Sequence, residues 1–191
     1  MDNKHLILNF LGKHPNERYT MHGLSKALGI PYASFYRTIS SINDLLIIQE
    51  IGRSKIISLD KENPILKAHL AVSSDEERKD YLEKYPTIKK IYQELDTEDI
   101  VILFGSYAKR AQTEKSDIDV LIINKDGKKS ISFAKYELLF KIKINTIFIT
   151  RKEFTVMLKD MQENVGKQAL YDHIILHDPE GFWRCVFNGI R

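Results

Sequence analysis

The chain of 191 residues has one cysteine, Cys185, and this scarcity excludes an internal disulfide. No group of cysteine and histidine residues has the spacing of a zinc site. The chain also lacks an apolar run as long as a membrane span, so we expect no membrane partner. Residues 1–10 lack the apolar core and cleavage site of a signal peptide, and we therefore expect a cytoplasmic protein.

A strong excess of charge of one sign is missing too. The 29 Lys and Arg residues against 26 Asp and Glu residues leave a net charge of +3. Composition therefore predicts no general affinity for polyanions, and any contact with nucleic acid has to come from a local basic patch. The length permits one domain or two small ones, and the apolar fraction of 43% is ordinary for a globular protein.

The segment 104–123 (FGSYAKRAQTEKSDIDVLII) is the most informative stretch of the chain. It joins two apolar runs, 100–104 and 120–123, and predicts a strand, a tight turn, a short helix and a second strand. Gly105 would let the backbone approach another group closely. Ser106 and the helix behind it would offer hydroxyl and N–H donors to an anion.

Two aspartates open the second of these strands. Asp117 and Asp119 are two residues apart on an extended segment, so both carboxylates are expected on one face of the sheet. Adjacent carboxylates repel each other unless a cation lies between them, and oxygen ligands suit Mg²⁺ that already carries nucleotide phosphates. A purely structural interpretation is also open: solvated turn aspartates, a loop cap formed with Ser116, and Gly105 as a simple strand terminator.

Gly-Ser at 105–106, followed by Ser-Asp-Ile-Asp-Val-Leu at 116–121, resembles the signature of the nucleotidyltransferase superfamily that includes DNA polymerase beta. The resemblance is greatest to its smallest branch, the minimal nucleotidyltransferases. It implies a small mixed sheet with flanking helices, in which Gly105 and Ser106 hold the triphosphate of an NTP, expected to be ATP. It also implies that Asp117 and Asp119 are catalytic and bind two divalent ions, Mg²⁺ or Mn²⁺, for nucleotidyl transfer to a hydroxyl.

Two basic residues follow the Gly-Ser turn, Lys109 and Arg110. Their functional interpretation is charge compensation for the bound triphosphate. Their structural interpretation is a pair of exposed surface residues, and the sequence leaves both open.

The predicted third strand, 141–150 (KIKINTIFIT), departs from the family pattern. Active members place a third carboxylate there, which helps to bind the catalytic metal and accepts the proton of the acceptor hydroxyl. This strand contains no Asp or Glu, and Asn145 is its best-matching polar residue. Asn145 can coordinate a metal through its amide oxygen but cannot act as a base. Catalysis and nucleotide binding without turnover therefore both remain open.

Residues 1–60 predict three short helices followed by a two-stranded hairpin with a basic tip, which resembles a winged helix-turn-helix domain. In that family the third helix enters the major groove and the wing contacts the DNA backbone. Seven Lys and Arg against five Asp and Glu give this segment little net charge, and such domains also serve as protein-interaction modules. The candidate contacts to double-stranded DNA are Ser34, Tyr36 and Arg37 in the groove, with Arg53 and Lys55 on phosphates.

The predicted organisation is α/β (α+β): a winged helix-turn-helix domain at 1–62, a helical connector at 63–98, and a nucleotidyltransferase domain at 99–191. Ser73-Ser74 is expected to cap a new helix in the connector, and Ser130 to cap a helix that reaches residue 140. Residues 152–191 are expected to be helical, with His173 and His177 one turn apart. The large apolar residues at 182–187 predict packing against the other domain or a twin subunit, and hence a homodimer.

Such two-domain chains resemble prokaryotic, especially archaeal, proteins, and the small members of the family include antitoxins that add nucleotides to a partner toxin. The leading hypothesis is a DNA-associated nucleotidyltransferase whose acceptor is a hydroxyl of a protein or a nucleic acid. The alternative is a DNA-binding transcription regulator whose nucleotidyltransferase domain senses nucleotide without catalysis. The sequence names neither the acceptor nor the operator.

Overall fold

The computed structural model describes residues 1–190; Arg191, the last residue of the predicted nucleotidyltransferase domain, lies outside this range. The chain forms two compact units, of which the first is Met1–Glu77 and the second begins at Arg78. The division falls inside the segment 63–98. Within residues 1–190, no helix has both the length and the apolarity needed to cross a membrane.

The first unit consists of helices with a small antiparallel sheet. Its elements are α1 (Asn3–Lys13), β1 (Tyr19–Thr20), α2 (Met21–Ala27), α3 (Tyr32–Ser41), a short 3-10 helix (Asn43–Leu45), β2 (Leu46–Ile51) and β3 (Ser54–Leu59). The strand order is β1-β3-β2. Phe35 and Ile39 of α3 and Ile42 directly after it are spaced i, i+4 and i+7, and all three are buried as one apolar stripe. Pro31 directly precedes α3.

The prediction that Ser73 and Ser74 cap a new helix is wrong. Both lie inside one long helix, α4 (Leu66–Lys84), and both are buried. The Ser73 hydroxyl donates to the His69 carbonyl, and the Ser73 carbonyl accepts a bond of 2.8 Å from the side chain of Asn9 on α1. Ser73 is a small residue at the contact of α4 with α1, and its hydroxyl is satisfied within its own helix.

The second unit contains a four-stranded mixed sheet with flanking helices. Its elements after α4 are α5 (Pro86–Gln93), β4 (Ile100–Phe104), α6 (Gly105–Ala108), β5 (Ile118–Asn124), α7 (Ala134–Phe140), β6 (Ile144–Thr150), α8 (Arg151–Lys159), α9 (Val165–Tyr171), β7 (Ile174–His177) and α10 (Pro179–Gly189). The strand order is β6-β5-β4-β7; β5 and β6 are parallel and the other pairs are antiparallel. Ile88 and Ile91 of α5 pack into the core with residues of the sheet.

The expectation of an all-helical segment after residue 152 is wrong at β7. This strand pairs with β4, and its first three residues are buried. His173 and His177 therefore do not lie one turn apart on a helix. The His173 ring bonds to the Ala169 and Leu170 carbonyls, whereas the His177 ring bonds to the Asp99 carbonyl.

The predicted helix cap at Ser130 is also wrong. The helix α7 begins at Ala134, and the Ser130 hydroxyl instead bonds to the Asp99 carboxylate and accepts from Asn124. The strand β6 begins at Ile144 rather than at residue 141. Lys141 ends α7 in a left-handed conformation, with φ of 54°.

The aromatic residues of α10 belong to the core of their own unit, so the prediction that they cover another domain or subunit is wrong. Phe182 packs against Phe154 at a ring-centroid distance of 5.7 Å, and Trp183 packs against His173 at 5.7 Å. Phe182 and Trp183 are both fully buried. The homodimer stays a prediction, without the exposed aromatic surface on which it was based.

Candidate active site

Three strand ends meet at one edge of the four-stranded sheet. Phe104, the last residue of β4, pairs with Asp119 near the start of β5. Asp119 pairs in turn with Asn145 near the start of β6. Because β5 runs antiparallel to β4 and parallel to β6, the turn after β4 and the polar residues of β5 and β6 are neighbours.

The two aspartates project toward one point. The Asn145 side-chain nitrogen Nδ2 donates to Asp117 Oδ2 at 3.2 Å and to Asp119 Oδ1 at 3.1 Å. One nitrogen can reach both carboxylates only if their oxygens converge. The expectation that both carboxylates leave the same face is therefore confirmed. Ser116 does close a turn, because its hydroxyl accepts the Thr113 N–H at 2.8 Å.

Lys143 joins this group, and the sequence analysis missed it. Its ammonium nitrogen Nζ lies 3.4 Å from Asp117 Oδ2. The backbone places it there, because the Lys143 carbonyl accepts the Ile118 N–H at 2.9 Å. A signal was present in the sequence: Lys143 and Asn145 are two residues apart in an extended segment, so they share a face.

Gly105 forms the wall of the site on the β4 side. Its φ is +69°, a conformation that L-residues with a side chain rarely adopt. A Cβ atom at this position would overlap Asp119 Oδ2. Ser106 follows in the single-turn helix α6 and is half-buried. Glycine at 105 thus serves both the turn and the carboxylate beside it.

We expect Gly105→Ala to abolish nucleotide binding, because the methyl group displaces the Asp119 carboxylate. The left-handed conformation adds a stability loss of roughly 1–3 kcal/mol. Gly127→Ala is a matched control. Gly127 also has φ of +69°, but its Cβ would meet only ordinary contacts, the nearest being Thr150 Cγ2 at 3.4 Å. Urea unfolding should show a loss in both variants, whereas titration with a fluorescent ATP analogue should fail only for Gly105→Ala. Equal nucleotide affinity in the two variants would contradict the prediction that Gly105 keeps the Asp119 carboxylate in place for nucleotide binding.

Lys109 and Arg110 follow α6 and have partners within the same unit. Lys109 Nζ lies 3.3 Å from Asp172 Oδ2, and the Arg110 guanidinium lies 5.9 Å from the centre of the Tyr81 ring. The Tyr81 hydroxyl donates to the Tyr107 carbonyl, and burial raises the pKa of both tyrosines. Phosphate binding by the two basic residues stays a prediction.

The donor set at this edge suits a hard divalent cation. Asp117 and Asp119 supply carboxylate oxygens. Rotation of the Asn145 side-chain amide by about 180° would place its oxygen, instead of its nitrogen, beside them as a third ligand. Among residues 1–190, no group of three or more His, Cys, Asp and Glu residues could hold a metal ion. The residues at this edge could hold Mg²⁺ only through two carboxylates and the oxygen of an amide, with one negative charge fewer than a set of three carboxylates.

The five candidate DNA contacts lie in the first unit. Tyr36 and Arg37 are exposed on α3, and the Arg37 guanidinium bonds to the half-buried Ser34 hydroxyl at 3.3 Å. Arg53 is exposed at the tip of the β2–β3 hairpin, where Ile51 pairs with Ser54. Lys55 forms a cross-strand ion pair with Glu50 at 3.4 Å.

A glycine turn behind one strand and paired carboxylates on the next, on a mixed sheet flanked by helices, define a domain of the nucleotidyltransferase class. The family model described as "Polymerase beta, Nucleotidyltransferase" matches residues 76–180, more than half of the chain. The chain therefore belongs to this family. The match does not include residues 1–75. Comparison with curated proteins gave no match, and comparison with solved structures gave none either.

Proposed function

We propose that the second unit binds a nucleoside triphosphate with Mg²⁺ or Mn²⁺ and transfers its nucleotidyl group to a hydroxyl of a protein or a nucleic acid. The observation that carries the proposal is the Asn145 nitrogen that bonds to both Asp117 and Asp119. It marks a point that two carboxylates share, beside the Gly105 turn. A cation at that point would contact both acids next to a turn that offers phosphate-binding donors.

The proposed reaction is a phosphoryl-type substitution at the α-phosphorus. The acceptor oxygen forms the new bond to phosphorus, the bond to the bridging oxygen breaks, and pyrophosphate leaves with the electron pair. Asn145 cannot accept the hydroxyl proton, so this proton passes to solvent. Asp117, Asp119 and Asn145 would hold the metal ion, which stabilises the charge on the phosphates. Lys109 and Arg110 are proposed to add positive charge near the triphosphate.

Label transfer tests this proposal. The full-length protein is incubated with ATP carrying ³²P at the α-phosphate, with Mg²⁺ or Mn²⁺, and with a cell extract as the source of acceptors. Transfer of label to a protein or a nucleic acid supports the proposal. Absence of transfer with every NTP, despite tight nucleotide binding, favours the alternative function.

The alternative is a transcription regulator whose second unit senses nucleotide without turnover. The absence of a carboxylate at Asn145 favours it, because a general base typically contributes 10²–10⁴ in rate. Both functions include a winged helix at the N-terminus. That assignment is supported by the order of three helices and a β2–β3 hairpin, and by the exposed basic residues on α3 and at the hairpin tip.

A protein partner for the first unit has a specific observation in its favour. β2 is an edge strand of its sheet, and Ile47, Ile48 and Ile51 are exposed on it by 42%, 39% and 55%. An exposed edge strand that carries apolar side chains is a template for pairing with another protein chain. The proposed acceptor protein is therefore also a candidate ligand of this hairpin.

We expect Arg37→Ala to weaken binding to a specific DNA duplex by about 1–3 kcal/mol. Arg53→Ala should reduce the slope of log affinity against log salt concentration by about one, the value of one lost phosphate contact. Arg18→Ala is the control, because Arg18 is an exposed arginine outside α3 and the hairpin. The duplex comes from selection of random sequences at low salt, and affinities are measured by fluorescence anisotropy across salt concentrations. If the three variants lose affinity equally, the proposed DNA-binding surface is wrong.

A further inference from the structure

The candidate active site has less negative charge than its family resemblance implies. Lys143 stands 3.4 Å from Asp117 Oδ2, and the Asn145 nitrogen bonds to both aspartates. With both aspartates ionised, Asp117, Asp119 and Lys143 carry a combined formal charge of −1. Three carboxylates without the lysine would carry −3. Two divalent cations held close together repel each other, and negatively charged ligands must offset this repulsion. The site lacks the third carboxylate that would supply the additional negative charge.

The Lys143 ion pair is also easily exchanged. The Lys143 side chain is 67% exposed and that of Asp117 is 40% exposed. Ion pairs at such exposure contribute little, because water screens the attraction and two side chains lose freedom. A metal–nucleotide complex can therefore displace the ammonium from Asp117, and the freed ammonium is then beside a polyphosphate, the kind of anion that a lysine binds well.

We propose that Lys143 and Asn145 restrict the site to one divalent cation, which enters only as its complex with a nucleoside triphosphate. This inference rests on the proposed nucleotide binding. Before the complex arrives, Lys143 neutralises Asp117 and repels a bare cation. Once the complex is bound, Lys143 faces the phosphates and Asn145 offers no charge for a second ion. Lys143 is a positioning residue here and forms no bond to the reacting phosphorus.

Equilibrium dialysis with Mn²⁺ and α,β-methylene-ATP, whose α–β bond resists transfer, tests the proposal in the full-length protein. The wild type should retain Mn²⁺ and nucleotide in a 1:1 ratio, and almost no Mn²⁺ at the same concentration without nucleotide. Lys143→Met should bind bare Mn²⁺ about tenfold more tightly and the Mn²⁺–nucleotide complex about tenfold more weakly. Asn145→Asp should raise the retained ratio to 2:1.

Lys152→Met is the matched control. Lys152 is an exposed lysine beyond the opposite end of β6, about 20 Å away by the rise of a strand, and it should change neither affinity. A wild-type ratio of 2:1, or equal affinity of the wild type and Lys143→Met for bare Mn²⁺, overturns the inference and leaves the proposed function standing. A wild type that binds no nucleotide overturns both. Thermal melts of each variant separate these outcomes from misfolding.

Discussion

Asp119→Asn should reduce label transfer from ATP by about 10³-fold, because an amide oxygen replaces a charged ligand at the point where both carboxylates converge. Asp119 is the centre of the site: it pairs with Phe104 and Asn145 across the sheet and touches the Gly105 turn. The substitution keeps the size of the side chain, and an amide oxygen can still accept from Asn145. The loss should therefore be one of charge, with the fold retained.

The control for this prediction is Asp126→Asn, at the other end of β5. The Asp126 carboxylate accepts the Lys128 N–H in an exposed turn, so the same chemical change occurs away from the site. Both variants should unfold at the same urea concentration as the wild type, and only Asp119→Asn should lose transfer. If transfer survives in Asp119→Asn, the paired carboxylates do not catalyse the reaction, and the activity resides elsewhere.

The local part of the site could be predicted from the sequence. Gly105, Asp117 and Asp119 belong to a strand–turn–helix–strand segment in which spacing alone fixes the relative directions of the side chains. β4 has its predicted bounds, Ile100–Phe104. The position of Asn145 beside Asp119 depends on which strands are neighbours in the sheet. That β6 lies beside β5 was indicated only by the resemblance to the family, and by no local sequence pattern.

The errors have a common physical origin. The run from Ile174 to Leu176 is continuously apolar, and a buried strand and a buried helix segment of that length share one pattern. Ser73-Ser74 and Ser130 resemble helix caps in sequence. The Ser73 hydroxyl instead bonds to the His69 carbonyl inside α4, and the Ser130 hydroxyl bonds to the Asp99 carboxylate. Local propensity is a weak guide wherever burial against another element decides the conformation.

Lys143 shows a different limit. Its sequence position, two residues before Asn145, was sufficient to place it on the same face. A lysine is not a metal ligand of the kind that such a motif predicts, so the family pattern gives no reason to expect it there. The interaction became evident from the distance of 3.4 Å between its ammonium and Asp117. The net charge of a site is set by all of its ionisable side chains. A pattern that identifies only candidate metal ligands does not identify nearby cationic residues such as Lys143.

Asn145→Asp should raise the rate of label transfer by about 10²-fold, because it supplies the base and the third negative ligand that the strand β6 lacks. Asn145→Ala is the essential comparison. It removes both hydrogen bonds to the aspartates without adding a carboxylate, so it should give no gain. A gain in both variants would mean that the amide merely obstructs the site.

The same substitution should make stability depend on metal. In this variant three carboxylates at one point repel each other. The Asn145 amide no longer donates hydrogen bonds to Asp117 and Asp119. The melting temperature of Asn145→Asp should therefore fall below that of the wild type in EDTA and recover with Mg²⁺, since an ion that binds only the folded state stabilises it. Recovery together with a faster transfer would show that the site retains the geometry of a two-metal enzyme and lacks only its charge. Recovery without any transfer would leave nucleotide sensing as the function of this unit.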